Sequence, residues 1–151
     1  SAAGVELAGG FGPFSAQGEY IWNWVDLDVG GTAKFDGAYV QASWFVTGES
    51  RPYEAKSGTH GRLRPAAALG EGGIGAFEVA ARFSTLDLND GLIRGGKEDN
   101  FTLGVNWYPT SYTRLVFNWV HFDVDGSLAA SPYGVPDHKG NAFGVRAQVD
   151  W

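Results

Sequence analysis

The chain has 151 residues, with 11 Lys and Arg against 17 Asp and Glu, and its net charge of −6 argues against a broadly basic nucleic-acid surface. Its 23 glycines and 15% aromatic content make it too aromatic for a disordered chain and too glycine-rich for a helical bundle. Cysteine is absent, which excludes disulfides and thiolate chemistry; methionine is absent even at position 1, so the chain reads as a processed protein or a piece of a longer one. No run is long and apolar enough for a membrane helix, because Glu, Asn, Gln or Asp recurs every few residues. Transmembrane barrels replace such runs with short alternating segments, so a membrane location stays open.

Alternation is what the chain shows, from one end to the other. Val5, Leu7 and Phe11 mark a first, weak strand over 4–11, closed by a Gly12-Pro13 turn. The next strand, 14–25, sets Phe14, Ala16, Tyr20, Trp22 and Trp24 against Ser15, Gln17, Glu19 and Asn23. In 39–47, Val40, Ala42, Trp44 and Val46 oppose Gln41, Ser43 and Phe45. Residues 48–74 have no period and read as a connecting segment; Gly61-Arg62-Leu63-Arg64 is too short before Pro65 to be another crossing.

A strand over 76–86 sets Phe77, Val79, Ala81 and Phe83 opposite Glu78, Ala80, Arg82 and Ser84, and it runs into a loop over 87–97. In 99–108, Phe101, Leu103, Val105 and Trp107 face away from Thr102, Gly104, Asn106 and Tyr108. Leu115, Phe117 and Trp119 interleave with Arg114 and Asn118 in 113–124. The last strand, 141–151, sets Phe143, Val145, Ala147, Val149 and Trp151 against Gly144, Arg146, Gln148 and Asp150.

Seven such strands suit either a soluble sandwich or a membrane barrel, and the polar face discriminates between them. A solvent-facing sheet is rich in Lys and Glu, whereas here Gly, Gln, Asn and Ser dominate, as in a wet lumen. Trp22, Trp24, Trp107, Tyr108, Tyr112, Tyr133 and Trp151 sit near strand ends, where interfacial girdles need amphipathic rings. An unpaired edge in hydrocarbon is costly, so seven strands are not a finished wall.

The strings at 36–53 (DGAYVQASWFVTGESRPY), 75–84 (GAFEVAARFS) and 99–108 (DNFTLGVNWY) resemble the C-terminal half of the phosphate-selective porin O and P family. So do the short strings at 6–8 (ELA) and 12–15 (GPFS), and the end at 142–151 (AFGVRAQVDW). The resemblance implies an all-β fold, the last seven strands of a sixteen-stranded antiparallel transmembrane barrel, with the rest of the wall supplied by an N-terminal remainder. It further implies a homotrimer among lipids of the bacterial outer membrane, with 48–74 on the periplasmic side or folded into the lumen. The function implied is passive diffusion of phosphate or other small anions; a differently selective porin and a soluble β-sheet binding module are the alternatives.

Anion passage needs positive side chains that hold an ion weakly enough to release it. Arg51, Lys56, Arg62 and Arg64 cluster in the connecting segment, and Arg82, Arg114 and Arg146 lie on polar strand faces. Guanidinium groups grip phosphate by charge-assisted, bidentate hydrogen bonds, while an ammonium acts as a flexible point charge. The competing reading pairs the segment's cations with Glu49, Glu54 or Glu71, and the strand arginines with Glu78 or Asp150, as scaffold. His60, His121 and His138 lack metal-ligand spacing, and the Asp-rich stretches 87–91 and 123–126 lack the full spacing of a calcium loop. No nucleophile elbow, P-loop or dinucleotide fingerprint occurs, so neither catalysis nor a cofactor is expected.

Overall fold

The computed structural model describes the chain apart from residues 29, 52, 55–58, 92 and 127–136, with 53–54 and 59–60 described by backbone only. The described residues are all-β: β1 (Ala2–Phe11), β2 (Phe14–Asp26), β3 (Thr32–Phe45), β4 (Tyr53–Glu54), β5 (Thr59–His60), β6 (Ala76–Asp90), β7 (Ile93–Thr110), β8 (Thr113–Asp125) and β9 (His138–Val149). Seven of these form one antiparallel sheet in the order β1-β2-β3-β6-β7-β8-β9, while β4 and β5 pair antiparallel in a separate two-stranded sheet inside the connecting segment. The sheet is not closed.

One register runs through all seven strands. Gly9, Ala16, Ala42, Ala81, Leu103, Trp119 and Phe143 lie side by side on one face. Shifted by one residue, Ala8, Gln17, Gln41, Arg82, Thr102, Val120 and Ala142 form a row on the other. Because side chains alternate with period two, every strand presents its apolar set to the same side.

That apolar side is uncovered. Leu103 and Val105 belong to a strand flanked on both sides, yet they are 44% and 41% exposed, so nothing packs on this face among the described residues. A soluble module would need that face covered. The small buried core lies on the opposite face, where Phe45, Ala76 and Leu63 pack together with Tyr108.

The strands are longer than alternation predicted. The expected loop 87–97 is the top of the β6–β7 hairpin, paired through Asn89 with Arg94 and Asp90 with Ile93 beyond a bulge at Asp87/Asn89, and turned by Gly91 at φ 57°. Likewise β3 begins at Thr32 rather than at 39. Above the apolar belt the outward row becomes Thr85, Asp99, Asp123 and Lys139, so both faces are polar there and the period vanishes from the sequence. Residues 61–65 form no strand, in keeping with a connection rather than an eighth crossing.

Gly75 ends the connecting segment at φ 81°, and a Cβ built there stands 2.3 Å from the carbonyl oxygen of Tyr108. Gly48 has φ 92° but open space around it. Gly75→Ala is therefore expected to destabilise the protein by about 2–4 kcal/mol, from left-handed strain plus overpacking, against about 1 kcal/mol for Gly48→Ala from strain alone. Denaturant titration of the two variants side by side tests this; equal losses would remove the close-approach argument.

Candidate functional site on the polar face

The polar face carries a concavity of about 780 Å³ whose lining includes Arg51, Glu78, Arg82, Asn106, Arg114 and Arg146. Room for it comes from a row of short side chains across the sheet: Gly10, Ser15, Ser43, Ala80, Gly104, Asn118 and Gly144. Arg82 stands one row to one side of this strip, while Glu78, Asn106 and Arg146 share the next row on the other.

Glu78 is the most enclosed polar group of the site, with its residue wholly buried. A carboxylate out of water needs donors around it, and three converge. The Arg51 guanidinium forms an ion pair with Oε1, Asn106 Nδ2 donates to Oε2 at 2.9 Å, and the Tyr108 hydroxyl donates to Oε2 at 3.1 Å. Arg51 also lies over the Phe45 ring at 5.6 Å, and Arg114 lies over the Tyr108 ring at 5.2 Å. Tyr108, expected in an interfacial girdle, instead faces inward: its parity with Asn106 outweighs its position near a strand end.

Arg82 is held by a different set. Its guanidinium stacks on the Tyr39 ring at 3.9 Å and touches Gln41 Oε1 at 3.5 Å. Gln41 Nε2 donates to Gln17 Oε1 at 3.2 Å, and Gln17 Nε2 donates to the Tyr39 hydroxyl at 2.7 Å and to Glu6 Oε1 at 2.5 Å. Arg146 donates to Gln148 Oε1 at 2.9 Å, and Gln148 Nε2 donates to Asp150 at 3.0 Å, so Asp150 reaches Arg146 only through an amide. The expectation that Glu78 pairs with Arg82, Arg114 or Arg146 is corrected: Glu78 takes Arg51.

The basic residues of the connecting segment are dispersed. Arg62 stacks over the Tyr112 ring at 4.7 Å, and Arg64 is exposed; neither lines the concavity. Lys56 lies outside the described residues, as do Tyr133 and the side chains of Glu54 and His60. Glu49 does not hold an arginine; it accepts hydrogen bonds from the Thr47 hydroxyl and, at 3.2 Å, from the Ala66 amide, closing the segment on itself. The segment is also pinned to the sheet, with the Leu69 amide donating to the Pro109 carbonyl at 2.8 Å and Trp107 Nε1 to the Ile74 carbonyl at 2.8 Å.

The Asp-rich stretches are occupied by their own hairpins and by the neighbouring β3. Asp87 accepts from the Asn89 amide at 2.9 Å, Asp90 from the Lys34 amide at 2.7 Å, and Asp123 from Lys139 at 2.5 Å. No cluster of three or more His, Asp or Glu suited to a metal ion occurs among the described residues.

Aromatic rings border the apolar face on the outward side. Phe14 stacks on Trp44 and Phe77 on Trp107, both at 5.8 Å, while Phe101 meets Trp119 edge-on at 6.3 Å. An apolar belt with rings at its borders and a polar opposite face is the dress of a transmembrane β-barrel wall. Comparison with known proteins agrees: the family model for phosphate-selective porin O and P matches residues 1–151, and the chain belongs to that family. An uncharacterized protein of Caulobacter vibrioides is 33% identical over 148 residues, which cover 98% of this chain and 29% of that protein. Porin O of Pseudomonas aeruginosa is 29% identical over 136 residues, covering 83% of this chain and 30% of its own length. The chain thus spans about a third of the length of these relatives. Membership places it in a bacterial outer-membrane protein.

Two adjacent residues of β8 test the assignment of faces. Phe117 is outward and 45% exposed, whereas Asn118 lies inward between Gly104 and Gly144. Phe117→Arg is expected to cost about 2–4 kcal/mol of folding free energy in lipid vesicles, and Asn118→Arg less than about 1 kcal/mol. Urea titration of the full-length protein in vesicles reads both; the reverse order would invert the wall.

Proposed function

We propose that this chain forms part of the wall of a passive outer-membrane diffusion channel for phosphate or other small anions, with Arg82, Arg114 and Arg146 guiding the solute. One observation carries the reading: all three guanidiniums line the concavity, and none is in an ion pair with another described residue. They are held by aromatic rings and amides, which fix their position without cancelling their charge. A moving anion then meets several weak contacts, exposed at Arg82 and Arg146 and half-buried at Arg114, rather than one tight site, as conduction requires. The net charge of −6 is spread over both faces: Asp87, Asp123 and Asp125 stand outward above the belt, while Glu6 and Glu19 share the polar face with Arg82.

The free edges of β1 and β9 are the reason to include more of the wall in the proposal. Edges do not survive in hydrocarbon, so the N-terminal remainder of a sixteen-stranded barrel pairs with them. Residues 48–74 then lie on the periplasmic side and lean into the lumen, and three copies assemble in the membrane. Support for the inward lean comes from Arg51 and Leu63, which meet Glu78 and Phe45 on the polar face.

In planar bilayers with potassium phosphate and potassium chloride, the full-length protein is expected to prefer anions over potassium and over a neutral solute. Replacing Arg82, Arg114 and Arg146 together by Gln lowers that preference by about tenfold or more, at roughly threefold per unit charge near the path. Replacing Arg62 and Arg64 by Gln shifts it less. An unchanged preference in the first variant would sink the wall arginines as the selectivity element and leave a porin selective by other means.

A further inference from the structure

Four arginines line the concavity, and Arg51 alone is in an ion pair among the described residues. Its partner is chosen by the fold. Glu78 lies on the central strand β6, with its side chain 1% exposed, and the outgoing limb of the connecting segment brings Arg51 to it across 27 residues of sequence. Asn106 and Tyr108, both from β7, hold the carboxylate's other oxygen. Arg51 takes one of its oxygens and Asn106 and Tyr108 the other, and no second arginine bonds to it among the described residues. Arg114, next to the same cluster, meets the face of Tyr108 and is in no ion pair among the described residues.

We propose that Glu78 is a selectivity-setting positioning residue: its carboxylate cancels the Arg51 guanidinium at the concavity and tethers the outgoing limb of 48–74 to the wall. This rests on the channel reading above. The pair leaves three uncompensated guanidiniums instead of four, which weakens the hold on an anion and favours its release. Being enclosed, Glu78 acts through Arg51 and not by touching solute.

Charge arithmetic gives the test. In the full-length protein, Glu78→Gln unmasks Arg51 and raises the anion-over-cation permeability ratio by about threefold, the effect of one unit charge a few ångströms from the path. The carboxamide that replaces the carboxylate retains an acceptor for Asn106 or Tyr108, so the wall keeps its packing. Arg51→Gln leaves the carboxylate unpaired and lowers the ratio by a similar factor. The double variant R51Q/E78Q returns close to the native ratio, and Arg51→Lys stays near it throughout.

Reversal potentials under a potassium chloride gradient read all four. Opposite shifts for the two single variants support the proposal, since a clamp without an electrostatic role would move both in the same direction. Same-direction shifts, or none, overturn it. Should either single variant fail to insert, the ratio of the double variant to the surviving single variant still isolates one charge, and a ratio near one overturns the proposal. A native protein that prefers cations would defeat the anion-channel reading, while opposite shifts in the variants would still uphold the Glu78–Arg51 pair.

Discussion

A continuous antiparallel register through the apolar belt is the constraint on which the rest of this molecule depends. Once Ala16 stands opposite Ala42 and Ala42 opposite Ala81, the parity of every residue on three strands is decided, and the ladder carries it onward to Phe143. A slip of one residue in any strand would move its whole apolar set to the wet side, so the alternation itself specifies the pairing. Backbone groups inside hydrocarbon have no water to turn to, and the ladder satisfies them between strands. The short Gly12-Pro13 turn adds no slack to this register, and the irregularities at Asp87/Asn89 and Trp107/Thr110 fall at the ends of the belt.

The inverted dress of the sheet follows from that parity. Large apolar side chains stand outward and exposed, while Glu78 and Asn106 are the buried polar groups. In a water-soluble domain this arrangement would be unstable; against lipid it is the required one. Inside, the polar groups solve their own desolvation by sharing partners: Glu6, Gln17, Gln41 and Arg82 form one chain across four strands, and Glu78 gathers donors from β7 and the connecting segment. Both networks hold arginines in place, but only the second contains a carboxylate close enough to neutralise one.

How much of this was legible in the sequence differs by depth in the wall. Within the apolar belt, at 77–83 and 101–107, period two was plain and both faces could be assigned. Towards the hairpin tips both faces meet water, so residues such as Asp87, Asn89 and Lys97 carry no alternation and read as loop although they are paired. Among the site residues, the facing of Arg82, Arg114 and Arg146 was readable from parity alone. The partnership of Glu78 with Arg51 was not, because nothing local links a strand residue to a side chain 27 positions away in an aperiodic segment. The inward role of Tyr108 was latent in its parity with Asn106, yet its nearness to a strand end suggested an interfacial ring instead.

The connecting segment shows how a few apolar atoms decide where charges go. Phe45 and Ala76 leave an apolar patch at the end of an otherwise polar face, and Leu63 covers it, 9% exposed. Leu63 is anchored in the patch while its neighbours are not: Arg62 lies over Tyr112 and Arg64 is exposed. Arg51 is drawn the other way by Glu78, towards the wall. The same segment that concentrates basic residues in the sequence thus separates them in space. The arginines left uncancelled on the concavity are those whose facing was decided by strand parity, not by the segment's own fold.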